Sequence, residues 1–77
     1  MKKIVSKLMD YGMDFQYENY GSKGEHIISF ELAVEIWNKE GVITIVFEGE
    51  STKLSEKNVD HAVMVVDQIC INETASF

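Results

Sequence analysis

The chain has 77 residues, with thirteen acids against seven lysines, no arginine and a net charge of −6. Arginine is the residue best suited to bind phosphate and guanine, so this composition argues against a nucleic-acid-binding protein. An acidic domain is attracted instead to a basic protein surface, although solubility alone also explains such a charge. The sequence has no run of about 18 apolar residues, so no transmembrane helix is predicted. The single cysteine is typical of a reducing compartment. We therefore expect one cytoplasmic domain over residues 1–77.

The first twenty residues predict a helix followed by a strand. Residues 2–11 carry apolar side chains three or four positions apart, as on one face of a helix, and Gly12 is suited to end it. Residues 13–20 alternate instead, with Met13, Phe15 and Tyr17 on one face, which favours a strand.

A second alternating stretch, His26 to Glu50, predicts two further strands. We place them at residues 25–37 and 42–50. The turns GSKG (21–24) and NKEG (38–41) separate the three strands. The expected sheet is a three-stranded antiparallel meander with helices on one face, an α+β fold.

The spacing also predicts a strand register. Turns of four residues place Tyr20 opposite Glu25 and Trp37 opposite Val42, which pairs apolar residues with apolar residues. The same register places Asp14, Glu31 and Glu48 in one row across the solvent face. Repulsion between like charges in such a row destabilises a sheet, so the row is a candidate binding surface. The alternative is that these acids are simply solvated on an open sheet face, where salt screens their repulsion. Three more carboxylates are predicted on this face: Glu18, Glu35 and Glu50.

Trp37 lies on the same predicted face, near the second turn. An exposed tryptophan can be a partner contact. It can also form a cross-strand pair that stabilises the hairpin. That interpretation is favoured unless the ring is accessible to solvent.

From Ser55 the pattern returns to helical spacing, and a helix is predicted over residues 55–71. Ser55 is a good N-cap. Valine is frequent here, so a strand over residues 62–66 is the competing interpretation. Met64, Val65 and Ile71 make the apolar face wider than one sheet face needs, so they could pack on the first helix or on a second subunit. Residues 72–77 are expected to fray.

No pattern predicts a catalytic, cofactor or metal site. His26, His61 and Cys70 lack the spacing of zinc ligands, and Cys70 lies on the apolar face of its helix. Glu31 and Glu48 could in principle act as an acid/base pair, but an open sheet face offers no cleft that would shift a carboxyl pKa. We therefore expect a protein that is not an enzyme.

The order helix, three strands, helix resembles the double-stranded-RNA-binding domain. That family has a lysine cluster at the start of its second helix. Here the same place reads Ser55-Glu56-Lys57-Asn58-Val59-Asp60, so RNA binding is not implied.

The order, size and acidity also resemble small phage-encoded anti-CRISPR proteins that inhibit type II-A Cas9. The resemblance implies acids that imitate DNA and occupy the basic site that reads the PAM duplex. Seven residues are the candidates for this partner-binding role: Asp14, Glu18, Glu31, Glu35, Trp37, Glu48 and Glu50.

The sequence thus predicts an acidic, non-enzymatic inhibitor of a basic nucleic-acid-handling protein. The alternative is a structural or regulatory module that acts as a homodimer. That dimer would use the broad apolar face of the second helix or the edge strand at residues 13–20.

Overall fold

The computed structural model describes residues 1–75, which form two α-helices and one antiparallel sheet of five strands. The elements, in chain order, are α1 (Lys2–Asp10), β1 (Gln16–Asn19), β2 (Glu25–Ser29), β3 (Val34–Lys39), β4 (Val42–Phe47), β5 (Glu50–Ser55) and α2 (Val59–Ala75). Each strand pairs with the next along the chain, which makes the sheet a meander. The predicted class, α+β with an antiparallel sheet and two helices, is confirmed, but the sheet has five strands where three were predicted.

One extra strand arises because the long predicted strand 25–37 folds back on itself. The other, β5, lies almost wholly beyond the predicted strand 42–50, in residues that were given no strand. The stretch 25–37 breaks at a turn over residues 30–33, and the stretch 42–50 breaks at Glu48-Gly49. Ala33 and Glu48 have φ of 54° and 53°, a left-handed conformation that reverses the chain. The apolar alternation continued through the first turn and gave no sign of that break, whereas it ended at Phe47, just before the second turn.

The predicted registers were wrong in both hairpins. Lys39 pairs with Val42, because the β3–β4 turn contains only Glu40 and Gly41. This register differs from the predicted one by two residues and keeps the same faces. In the first hairpin Asn19, rather than Tyr20, lies opposite Glu25.

One face of the sheet packs against both helices and forms the core. Its central row is Ile27, Ile36 and Ile45, all buried, and Ile4 of α1 and Val66 of α2 belong to the same cluster. Full burial of an aliphatic side chain contributes about 1.5–3 kcal/mol relative to exposure. We call the opposite side of the sheet, which carries Trp37 and Glu35, the outer face.

The two helices run parallel to each other. Lys3 Nζ lies 3.0 Å from Asp60, and the Tyr11 hydroxyl donates to Asp67 at 2.8 Å, so both helices advance seven or eight residues together. Helix α2 is helical throughout, which excludes the strand considered at residues 62–66. It continues through residues 72–75, which were expected to fray, and residues 76–77 lie outside the described part of the chain.

Candidate functional site

The meander gathers the predicted acids at one end of the sheet rather than in a row across it. The β2–β3 turn, the β4–β5 turn and the segment before β1 all lie at this end, and both helices point their C-termini toward it. We call it the acidic end and define it by four segments: residues 11–15, 30–33, 48–50 and 71–75. These segments contain five acids and no lysine: Asp14, Glu31, Glu48, Glu50 and Glu73.

The opposite end of the sheet has the reverse charge. We call it the lysine end and define it by residues 1–3, 20–24, 39–41 and 55–58, which hold five of the seven lysines and only two acids, Glu40 and Glu56. Lys2, Lys3 and Lys57 line one shallow pocket there. The chain therefore has a strong charge asymmetry along its strands that its overall net charge conceals.

Hydrogen bonds fix the acidic end around a buried serine. The Ser29 hydroxyl donates to the Asp14 carbonyl at 2.7 Å and accepts from the Leu32 N–H at 3.2 Å. The Asp14 N–H donates to a Glu31 carboxylate oxygen at 2.9 Å. Two of the three residues predicted as a row, Asp14 and Glu31, are thus in direct contact. The contact is between a turn and the segment before β1, and neither residue lies in a strand.

Phe30 is the most exposed large apolar side chain among the described residues of the acidic end, where Ile71 is also exposed. The Phe30 side chain is 78% exposed, whereas Leu32 in the same turn is only 3% exposed and anchors the turn to the core. Phe30 borders a shallow pocket of about 270 Å³ whose walls include Ile28, Val46 and the carboxylates Glu35 and Glu48. An exposed aromatic ring beside carboxylates suits contact with a basic, partly apolar surface.

The remaining predicted site residues divide between the two faces of the sheet. Glu18 and Glu35 lie on the outer face, as predicted, because their strand partners His26 and Val46 lie there. Glu50 was predicted on the same face, but it pairs with Phe47 and borders a groove beside α2. Its position on the helix side follows from the turn at Glu48-Gly49.

Trp37 is held in a stack of side chains on the outer face. The His26 ring lies parallel to it with centroids 3.8 Å apart, Tyr20 stacks at 6.4 Å, and Lys39 Nζ lies 4.3 Å from the ring centroid. His26 Nε2 also lies 3.0 Å from Glu35. The indole is half-buried by these neighbours, so the cross-strand interpretation of Trp37 is the better one.

Shifted pKa values occur at tyrosines and at the cysteine. The pKa of Tyr11 is raised above 10.0 chiefly by its hydrogen bond to Asp67, and that of Tyr20 by its bond to Glu18. The Glu25 carboxylate does the same for Tyr17, and burial raises the pKa of the Cys70 thiol. A neutral buried thiol is a poor nucleophile, in agreement with a packing role for Cys70.

Within residues 1–75, no three His, Cys, Asp or Glu side chains come together in an arrangement that would hold a metal ion. No helix in the same part of the chain is long and apolar enough to cross a membrane. Comparisons with protein-family models, curated proteins and solved structures found no match for this chain.

Sequence reasoning missed Phe30 and Ser29 as parts of the site. Both were assigned to the middle of a long strand, on opposite faces. A signal for the fifth strand was present in Glu48-Gly49, which repeats the Glu40-Gly41 dipeptide between two alternating runs. The glycine is the informative residue, because it readily adopts the positive φ that the second position of a two-residue hairpin turn requires.

Proposed function

We propose that the protein is a non-enzymatic inhibitor whose acidic end binds the basic surface of a nucleic-acid-handling protein in place of nucleic acid. The observation that carries this proposal is the segregation of charge: five acids and no lysine at the end that also presents Phe30. Carboxylates in this arrangement would compete with phosphates for lysine and arginine side chains.

The helices add to the negative potential of this end. Each α-helix carries about half a negative charge at its C-terminus, and α1 and α2 are parallel, so both partial charges fall on the same side as the acids. Five of the seven lysines lie at the other end. Lys7 lies in the last turn of α1, where it is paired with Asp67 at 3.6 Å. Such a field accelerates association with a positive partner and weakens as salt is added.

Phe30 supplies an apolar contact, which the carboxylates cannot provide. Interface energy is concentrated in a few residues, often aromatic, that become buried when the partner binds. Phe30 projects from a turn whose backbone is fixed by Ser29 and Leu32, so little order is lost when it is covered. We expect it to be the apolar centre of the contact, with Glu31 and Glu48 beside it.

Within this class, we propose a guide-loaded type II-A Cas9 as the target, because its PAM-reading site is a basic surface that normally holds duplex DNA. The test is target cleavage and PAM-duplex binding by the effector in the presence of excess protein. We expect cleavage to stop and the duplex and the protein to exclude each other.

The same assay with the Glu31→Lys/Glu48→Lys variant tests the mechanism. Inhibition should be lost while circular dichroism shows that the fold is retained. Undiminished cleavage with wild-type protein would reject the Cas9 target. Full inhibition by the double variant would reject charge mimicry.

A further inference from the structure

We propose that the free edge of β1 binds an extended basic segment of the partner by strand addition. This inference rests on the proposed function for the basic character of the partner. It concerns a different surface of the molecule, the edge strand rather than the acidic end.

The first observation is that β1 has unpaired backbone groups in known positions. The Tyr20 N–H donates to the Gly24 carbonyl at 2.8 Å, and these two residues continue the β1–β2 register by one pair. Antiparallel pairs alternate between bonded and non-bonded, so Glu18 and Gln16 bond to β2. Tyr17 and Asn19 consequently direct their N–H and C=O groups away from the sheet.

The second observation is a groove beside this edge. It has a volume of about 490 Å³, and its walls are formed by Met1, by Lys2 and Val5 of α1, and by Tyr17 and Glu25 of the sheet. An added strand points alternate side chains to the two sides of the sheet. On the helix side those side chains would enter the groove, where the Tyr17 hydroxyl donates to Glu25.

The third observation is charge, which distinguishes this edge from the other one. Residues 10–20, which contain β1, carry three acids and no lysine, whereas residues 48–58, around β5, carry three acids and two lysines. Lys53 also lies on the edge strand β5, and lysine on an edge opposes strand pairing. The β1 edge has no such lysine, and the exposed Glu18 lies on its outer face. The complementary occupant is therefore an extended segment that alternates basic and apolar residues.

The test uses a synthetic peptide of alternating lysine and valine, about six residues long. Hydrogen exchange of single amides, followed by nuclear magnetic resonance, reports the contact. We expect the peptide to slow exchange at Tyr17 and Asn19 at least about tenfold. The amides that β5 directs outward, Ser51, Lys53 and Ser55, serve as the internal control and should not change.

Two matched probes separate strand addition from simple charge attraction. The same peptide with every backbone nitrogen methylated keeps its charge, but it cannot donate to the Tyr17 and Asn19 carbonyls and its methyl groups obstruct close approach to the edge, so protection should be lost. A glutamate–valine peptide should fail as well. In the protein, Glu18→Lys should reduce protection, whereas Lys53→Glu on the other edge should leave it unchanged.

Three results would overturn the proposal. These are protection of the β5 amides instead, equal protection by the methylated peptide, or no protection of either edge at saturating peptide. Protection that rises with protein concentration in the absence of peptide would assign the edge to a second copy, which also contradicts it. Because this readout uses β1 amides, it is independent of the inhibition assay on Glu31 and Glu48.

Discussion

The two ends of the sheet are built from the same kind of turn but differ in charge. Glu40-Gly41 joins β3 to β4 at the lysine end, and Glu48-Gly49 joins β4 to β5 at the acidic end. All four residues have positive φ, at 50° and 77° in the first turn and 53° and 79° in the second. Both glutamates therefore adopt the same left-handed backbone conformation. What differs is their surroundings, so function is better inferred from the cluster around a residue than from its local conformation.

The largest expected effect is on stability and contrasts two residues of one turn at the acidic end. Leu32→Ala removes a buried side chain and should lower the free energy of unfolding by about 2–5 kcal/mol. Phe30→Ala should change it by less than about 0.5 kcal/mol, because the ring is exposed. Urea unfolding measures both. For inhibition we expect the opposite order, with Phe30→Ala the more damaging change. Equal destabilisation by the two variants would mean that Phe30 packs against the protein.

A smaller effect separates the two glutamate turns. Asparagine adopts positive φ more readily than glutamate, so Glu40→Asn and Glu48→Asn should each stabilise the fold by up to about 1 kcal/mol. Thermal unfolding should show similar gains for the two variants. Only Glu48→Asn should weaken inhibition, because only that carboxylate lies at the acidic end. If Glu40→Asn weakens inhibition as much, the two ends are not functionally distinct.

The smallest effects concern the tyrosines, which lie at both ends and behave alike. The pKa values of Tyr11 and Tyr20 are raised in the folded state. Their hydrogen bonds therefore contribute fully below pH 10, the ordinary value, and are lost as the pH rises through the higher folded pKa. We expect stability to fall above about pH 10 and to fall less in Tyr11→Phe or Tyr20→Phe. Tyrosinate absorbance across this pH range follows the titration of the tyrosines, and urea unfolding at each pH follows the stability. An unchanged alkaline decline in both variants would contradict the assignment.

Periodicity predicted the first helix well, and the second helix and the strands only in part, because α2 begins at Val59 rather than Ser55 and ends at Ala75 rather than residue 71. The spacing of Ile4 and Leu8 placed α1 to within one residue, because a helix buries one stripe of its own surface. The break at residues 30–33 was missed because Leu32 packs into the core from this turn. The turn therefore continues the alternating pattern of the strands on either side. The alternation before this turn is shifted by one residue relative to the alternation after it. Ile28 therefore lies on the outer face and Ser29 in the core.

The candidate site was predicted by residue type but not by place. Asp14, Glu31 and Glu48 were singled out as a group, and the structure puts them at one end of the sheet. That end exists only because Glu31 and Glu48 lie in turns, and no local signal in the sequence shows where the turns of different hairpins meet. Phe30 could not be recognised as exposed for the same reason, since an alternating pattern assigned it to the core.

The central claim is that the acidic end, and not acidity in general, binds the partner. The most direct test compares Glu31→Lys/Glu48→Lys with Glu40→Lys/Glu56→Lys, because each pair changes the net charge equally, from −6 to −2. Affinity for guide-loaded Cas9 is measured at low and high salt. We expect the first pair to lose affinity about 100-fold or more at low salt, with a flatter salt dependence, and the second pair to lose less than about fivefold. Equal losses for the two pairs would contradict it.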